Sequence, residues 1–349
     1  MALWSRKSEE SDTQFDAFEQ VASQVVDVIA TAGVVLDSQN NVLRASPGAI
    51  QFGLVQNRRL IHANLVKLAD RAREQSGAVT VDFDLETGLR KETVWVHATA
   101  ARFADTYVML LVDDRTESKK LEDTRRDFVA NVSHELKTPI GAIGLLAEAL
   151  QGAKDDPAAI DKFSNSLIRE SQRLANLVQE LMQLSRVQGA GSLENAKVIE
   201  LGTVVTDAVE RNQVLAEKRN IRLASDPGES IQVLGDYEML TTAVRNLIEN
   251  AIVYSEPGTQ VGIGCKLVEG VAEIAVTDSG LGIPESEQER IFERFYRVDP
   301  SRSRETGGTG LGLAIVKHVA ANHRGEIKLF SQPGVGSTFT IRIPAHKEE

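Results

Sequence analysis

Between Ser118 and Val187 apolar residues recur at steps of three and four, a pattern that strands cannot satisfy and that two long helices can. A first helix is predicted from about Ser118 to Gln151, with Leu121, Phe128, Val132, Ile143, Leu146 and Leu150 on one side. Asp155-Asp156-Pro157 turns the chain, and Pro157 suits the first turn of a second helix. That helix runs to about Val187 and carries Ile160, Phe163, Leu167, Leu174, Leu177, Leu181 and Leu184, with one interruption near Glu170-Ser171. An apolar seam of this length on a lone hairpin would face water. Such a seam belongs to a coiled coil or a helical bundle, and residues about 119–187 are therefore expected to pair with a second copy, giving a homodimer.

The flanking segments read differently. Residues 1–14 are polar, and Phe15, Phe18, Val21, Val25 and Val28 follow at helical spacing. Gly33 to Asp37 reads as a strand, Asn40-Asn41 as a tight turn, and Val42 to Ala45 as the return strand. Helix-compatible sequence continues to Glu74, and three β-rich runs follow: Val79–Leu85, Thr93–Phe103 and Tyr107–Val112. Residues 15–115 thus form a small α/β module. Gly189-Ala190-Gly191-Ser192 is a flexible linker, and residues 195–346 mix helices with strands as a further α/β domain. The fold class is multidomain α/β.

A net charge of −11 argues against a nucleic-acid-binding surface, so no nucleic acid is expected as a partner. Cys265 is the lone cysteine, and no Cys/His pattern suggests a metal site. No run approaches the roughly 18 apolar residues of a membrane span, and the N-terminus lacks a signal peptide. The expectation is a cytoplasmic chain without a membrane anchor of its own, or the cytoplasmic part of an anchored protein.

On the first long helix, at about 100° per residue, the six apolar positions fall within a stripe about 60° wide. His134 lies roughly 160° from its middle and is expected to face solvent, with Thr138 one turn on and Glu135 beside it. Pro139 removes a backbone donor and invites a bend just past His134. An isolated exposed histidine is usually decoration. Imidazole, however, is a competent nucleophile near neutrality, and a neighbouring carboxylate can hold one ring nitrogen protonated while the other attacks.

Ser133-His134-Glu135-Leu136-Lys137-Thr138-Pro139 resembles, residue for residue, the H-box of two-component sensor histidine kinases. The resemblance implies that His134 is the phosphoacceptor and Glu135 the base that activates it. It gives Thr138 the role of positioning water when the same site dephosphorylates a partner. It further implies that residues 118–190 are a dimerisation and histidine-phosphotransfer hairpin pairing into a four-helix bundle, with autophosphorylation by ATP and transfer to an aspartate on the receiver domain of a cognate response regulator.

Four later segments occur in the order that this family shows. Asn246 and Asn250 stand one helical turn apart, so their side-chain oxygens can reach a Mg²⁺ ion with its bound phosphates, or can simply be solvated. Asp278-Ser279-Gly280-Leu281-Gly282 follows a predicted strand, and by resemblance Asp278 accepts the adenine amino group. Ile291 to Arg297, with Phe292 and Phe295, resembles the F-box that begins a mobile lid. Gly307-Gly308-Thr309-Gly310-Leu311-Gly312 opens a predicted helix whose N–H groups suit phosphates. The resemblance spans about 118–346. It implies a GHKL fold binding ATP and Mg²⁺ through Asn246, Asn250, Tyr254, Asp278, Gly280, Gly282, Phe292, Phe295, Arg302, Arg304, Gly308, Gly310, Leu311 and Gly312. Asn246 and Asn250 would be the residues at the metal.

Two departures bear on chemistry. ATP-hydrolysing relatives carry a glutamate where Asn246 stands, so the reading shifts from hydrolysis to transfer. Many members carry Lys or Arg at the position of Val253, leaving that phosphate contact to Lys317 or to a lid arginine among Arg297, Arg302 and Arg304. The alternatives are a degenerate, scaffolding kinase and a GHKL ATPase. Val34 to Ala49 resembles the opening of a PAS domain, with Ser46 where an Asn is common; the resemblance implies either a ligand-free signalling spacer or a cavity for haem, flavin or a metabolite, with His62 or His97 as a candidate ligand. Phe128–Leu150 and Gly307–Gly325 look most like actinobacterial phosphate-starvation sensor kinases.

Overall fold

The computed structural model of this 349-residue chain describes residues 31–75, 77–87, 92–103, 107–153, 155–189, 196–226, 228–298 and 308–346. It divides into two compact units, Met1–Asp127 and Phe128–Glu349. The helix expected over residues 15–28 lies outside the described residues.

In the first unit β1 (Ala32–Leu36) is buried throughout and pairs with β2 (Val42–Ala45). Asp37 builds the turn between them: its Oδ1 accepts the N–H groups of Gln39 (2.7 Å) and Asn41 (2.8 Å), and Asn40 takes a left-handed φ of 64°. Ser46 caps α1 (Pro47–Gln51) by accepting the Ala49 N–H at 3.2 Å, and also takes the Gly33 N–H at 2.9 Å. The helix-compatible stretch that follows is not continuous. Asn57 and Arg58 both adopt positive φ and fold β3 (Val55–Gln56) onto β4 (Arg59–Leu60) before α2 (Ala63–Glu74) begins. Three strands, β5 (Ala78–Thr87), β6 (Glu92–Phe103) and β7 (Tyr107–Asp114), complete an antiparallel sheet in the order β2-β1-β7-β6-β5. Val34, Leu36, Val96, Ala98, Ala100 and Leu110 form its core face, covered by Leu65, Leu68 and Ala72 of α2.

Helix α3 (Thr116–Gly152) runs unbroken through Pro139, which is buried. Asp156 starts α4 (Pro157–Gly189) by accepting the Ala159 N–H at 3.1 Å. In the second unit a short ladder of β8 (Lys197–Glu200) and β10 (Gln232–Gly235) flanks α5 (Leu201–Arg219) and β9 (Arg222–Asp226). Next come α6 (Tyr237–Tyr254), capped by Asp236, then β11 (Gln260–Val268) and β12 (Val271–Thr277). The chain ends in α7 (Gly312–Asn322), β13 (Glu326–Gln332) and β14 (Gly336–Pro344). The sheet order is β13-β14-β12-β11-β9, antiparallel except for the parallel pair β9 and β11.

Val205, Leu247, Ile248, Ile274, Ile315 and Ile341 form the core between the helices and this sheet. Leu177, Leu184 and Val187 of α4 enter the same core, so one end of the hairpin is built into the sandwich. Along the rest of the hairpin the seam residues Ile143, Leu146, Ile160 and Phe163 are half-buried, while Leu145 and Ile168, beside the seam, are 70% and 64% exposed in a single chain.

Candidate active site

His134 is exposed on α3, but it does not face open solvent alone. Together with Asn131 and Glu135 it lines a cleft of about 280 Å³ whose opposite wall is Glu293, Arg294, Phe295 and Tyr296. Among the described residues no hydrogen bond joins Glu135 to the imidazole. The Thr138 hydroxyl donates to the His134 carbonyl at 3.3 Å, folded back onto its own helix.

The F-box wall is held by aromatic packing. Phe295 meets Phe128, on the histidine helix, with centroids 6.0 Å apart and planes inclined at 37°. The Arg294 guanidinium lies 5.3 Å from the Phe128 centroid and meets His318 Nε2 at 3.4 Å. Burial, then the charges of Arg294 and Lys317, hold His318 below the usual imidazole range, so its Nε2 is free to accept that bond. Phe292 packs edge-on against Phe339 of β14 at 6.4 Å, and the Tyr296 hydroxyl donates to Glu287.

Asp278 follows β12 directly and is 8% exposed. Its Oδ1 accepts the N–H groups of Gly280 (2.9 Å) and Ser337 (3.2 Å), while Oδ2 takes neither bond. Burial raises its pKa, and the two backbone bonds oppose the rise. Gly280 bridges to Ser255 next to Tyr254, and a side chain at Gly280 would lie 2.5 Å from the Tyr254 carbonyl oxygen. Tyr254 itself is exposed, and Gly282 follows with a positive φ of 65°.

Asn246 and Asn250 share a face of α6 one turn apart. Asn246 is buried and its amide nitrogen donates to the Gly312 carbonyl at 3.5 Å, leaving the amide oxygen uncommitted. Asn250 is half-buried. The glycine turn precedes α7 as expected. Gly310 takes φ 76°, its carbonyl accepts the Phe295 N–H at 2.9 Å, and a Cβ there would strike the Phe295 backbone at 2.8 Å. Glycine turn and F-box are thus one connected piece. Leu311 is buried and Gly308 half-buried. Lys317 lies 6.0 Å above the Phe292 ring, and Val253 is half-buried on α6. Arg302 and Arg304 lie outside the described residues.

Sequence reasoning did not single out Glu180, Arg294 or Thr309. Glu180 on α4 accepts a hydrogen bond from the Thr309 hydroxyl inside the glycine turn. The signal was available: Glu180 stands three residues after Leu177 and four before Leu184, a carboxylate on an apolar stripe. In the first unit His97 Nδ1 pairs with Asp82 at 2.5 Å, and His62 is the N-terminal flank of α2 without a capping bond. Among the described residues no three His, Cys, Asp or Glu side chains cluster as a metal site.

A histidine-bearing hairpin built into a mixed-sheet domain with a glycine turn at a helix N-terminus defines a phosphoacceptor hairpin joined to a GHKL-type ATPase domain. Residues 124–190 match the family described as His Kinase A (phospho-acceptor) domain. Residues 235–347 match the histidine kinase-, DNA gyrase B-, and HSP90-like ATPases. The chain is 42% identical over 334 residues to the sensor-like histidine kinase SenX3 of Mycolicibacterium smegmatis, covering 94% of this chain and 87% of the relative. It is 37% identical over 243 residues to the phosphate regulon sensor protein PhoR of Pseudomonas aeruginosa, covering 69% of this chain and 55% of that one. The solved complex of histidine kinase ThkA with response regulator protein TrrA shares the fold at TM-score 0.51 and 21% identity, covering 92% of this chain and 98% of that one. This chain belongs to the sensor histidine kinase family and is a protein-histidine kinase.

Proposed function

We propose that the chain uses Mg²⁺-ATP to phosphorylate its own His134 and then passes the phosphoryl group to an aspartate of a response regulator's receiver domain. The observation that carries this reading is the cleft that sets His134 and Glu135 against the F-box wall, itself bonded to the glycine turn. Acceptor and nucleotide-binding residues thus occur within one compact unit.

One ring nitrogen of His134 attacks the γ-phosphorus while Glu135 holds the proton on the other, and ADP departs. Asp278 Oδ2 is the free acceptor for the adenine amino group, and the N–H groups of the glycine turn before α7 face the phosphates. The fit to Mg²⁺ rests on Asn246: its amide oxygen is uncommitted, and an amide-oxygen set suits a hard cation that takes its remaining ligands from phosphate and water. Bound there, Mg²⁺ would neutralise the β- and γ-oxygens. With an amide in place of a carboxylate at Asn246, water lacks a base and the imidazole is the acceptor. Thr138 serves the reverse traffic, placing water on the partner's phosphoaspartate.

The proposed domains are a PAS-like sensor over 15–115, the dimerising phosphotransfer hairpin over 118–190 and the ATP-binding domain over 195–346. The apolar side chains that α3 and α4 leave exposed, Leu145 and Ile168 among them, support the homodimer. The sub-family is the actinobacterial phosphate-sensing type, acting at the cytoplasmic side, with no nucleic-acid partner. Among the described residues no helix is long and apolar enough to cross a membrane.

The test is a chase. The chain is labelled with γ-³²P-ATP and Mg²⁺, freed of nucleotide, and mixed with a receiver domain. The label should move from a base-stable form on the kinase to a base-labile form on the receiver. Label that stays on the kinase in the presence of the intact receiver, or that leaves it equally fast when the receiver's aspartate is replaced, contradicts the proposal.

A further inference from the structure

Glu180 projects from α4 between two core leucines, Leu177 and Leu184. Its carboxylate accepts the hydroxyl hydrogen of Thr309, and the same hydroxyl oxygen takes the Leu311 N–H at 3.3 Å. Thr309 is 7% exposed and stands between Gly308 and Gly310. A carboxylate from the hairpin therefore already occupies donor capacity in a turn suited to an anion. A second tie joins the same two helices: Asn322 at the end of α7 donates to the Val187 carbonyl at 2.8 Å.

We propose that Glu180 is an internal competitor of nucleotide, latching the second hairpin helix to the glycine turn so that ATP binds with the latch open. The inference rests on the reading of that turn as the phosphate site. Glu180 faces Arg245 and Glu249 from α6 and Arg297 from the end of the F-box, and Arg297 in turn is flanked by Glu135 of α3 and Arg173 of α4. Glu249 repels the carboxylate, while Arg245 and Arg297 attract it.

Burial dominates and lifts Glu180 from its ordinary 4.5 to about 7, against the Thr309 bond, which lowers it; opening as proposed both breaks that bond and returns the carboxylate to water. The latched state therefore holds a proton that the open state releases. Between 4.5 and 7 each rise in pH favours opening, and above 7 the effect levels off. The latch should weaken about tenfold between pH 6 and pH 8.

The experiment compares full-length wild type, Glu180→Gln and Glu180→Ala by calorimetric ATP titration at pH 6 and pH 8. Glutamine keeps shape and acceptor but cannot ionise, so it stays latched. The nucleotide's own titration is common to all three proteins and cancels in the comparison. Relative to Glu180→Gln, wild type should gain about tenfold in affinity from pH 6 to pH 8. Glu180→Ala should bind more tightly than wild type at pH 6. Parallel pH courses for wild type and Glu180→Gln overturn the proposal, and that comparison stands even where alanine disturbs the hairpin.

Amide exchange at Leu311 in nucleotide-free protein provides an independent reading. It should be faster in Glu180→Ala than in Glu180→Gln, and equal rates overturn the latch. Absence of ATP binding in all three proteins would instead overturn the phosphate-site reading, with the Leu311 rates still deciding whether Glu180 holds the turn.

Discussion

Phe128 on the histidine helix and Phe295 in the F-box stack at 6.0 Å, and this pair joins the helix of His134 to the segment tied to the glycine turn. Replacing either ring by leucine keeps apolar volume and removes the aromatic contact. A double-mutant cycle of Phe128→Leu and Phe295→Leu, read by urea unfolding, should give a coupling of about 0.5–1.5 kcal/mol. Additive effects would mean that the rings are neighbours without energetic consequence.

Asp278 offers a clean separation of folding from binding. An asparagine there retains an oxygen for the Gly280 and Ser337 N–H groups but presents an amide where the base-recognising oxygen stood. Asp278→Asn should therefore melt near wild type and lose ATP affinity by about 10–100-fold, the scale of 1–3 kcal/mol for a mismatched buried polar contact. Unchanged affinity by calorimetry would move the adenine elsewhere.

Glu135 and Thr138 should separate two activities of one helix face. Thr138 bonds to the His134 carbonyl and not to the imidazole, so Thr138→Ala should keep autophosphorylation within about threefold while slowing dephosphorylation of the receiver. Glu135→Ala should lower autophosphorylation by about 10²-fold or more, the scale for a lost general base. Labelled Mg²⁺-ATP reads autophosphorylation, and purified phosphorylated receiver with Mg²⁺-ADP reads dephosphorylation. Equal losses in both would make Thr138 merely structural.

His323 predicts an acid sensitivity of the ATP-binding domain. Its Nε2 accepts the Asp236 N–H at 3.0 Å and its Nδ1 donates to the Val319 carbonyl at 2.7 Å, an arrangement that requires the neutral ring. Burial holds its pKa below 6.5, against the opposing pull of the Val319 bond and Asp236. The unfolded chain then binds more protons in the window just below 6.5, so stability falls as pH drops from 7 to 5. His318 adds in the same direction. The slope of unfolding free energy against pH should flatten in His323→Gln. Gly235→Ala should also destabilise, by about 1–3 kcal/mol, because its Cβ would lie 2.5 Å from the His323 ring.

The helical hairpin, the turn between β1 and β2 and most strands were legible because their signals are local: Pro157 at a helix start, Asn40 in a turn, alternation along β6 and β7. The stretch after Gln51 was not legible as helix and short ladder. Positive φ at Asn57 and Arg58 is a choice that Arg58 does not advertise. The candidate nucleotide residues could be named because each sits within its own motif. The cleft wall opposite His134 and the bond from Glu180 to Thr309 join positions 129 residues or more apart, which no spacing rule reaches.

The central claim is that His134 is the acceptor. Full-length wild type and His134→Gln are incubated with γ-³²P-ATP and Mg²⁺, and the labelled protein is split between acid and base. Wild type should carry a label that is stable in base and lost in acid, and His134→Gln should carry none while still binding ATP. An acid-labile label of undiminished intensity on His134→Gln would place the phosphoryl group on another residue and contradict the account.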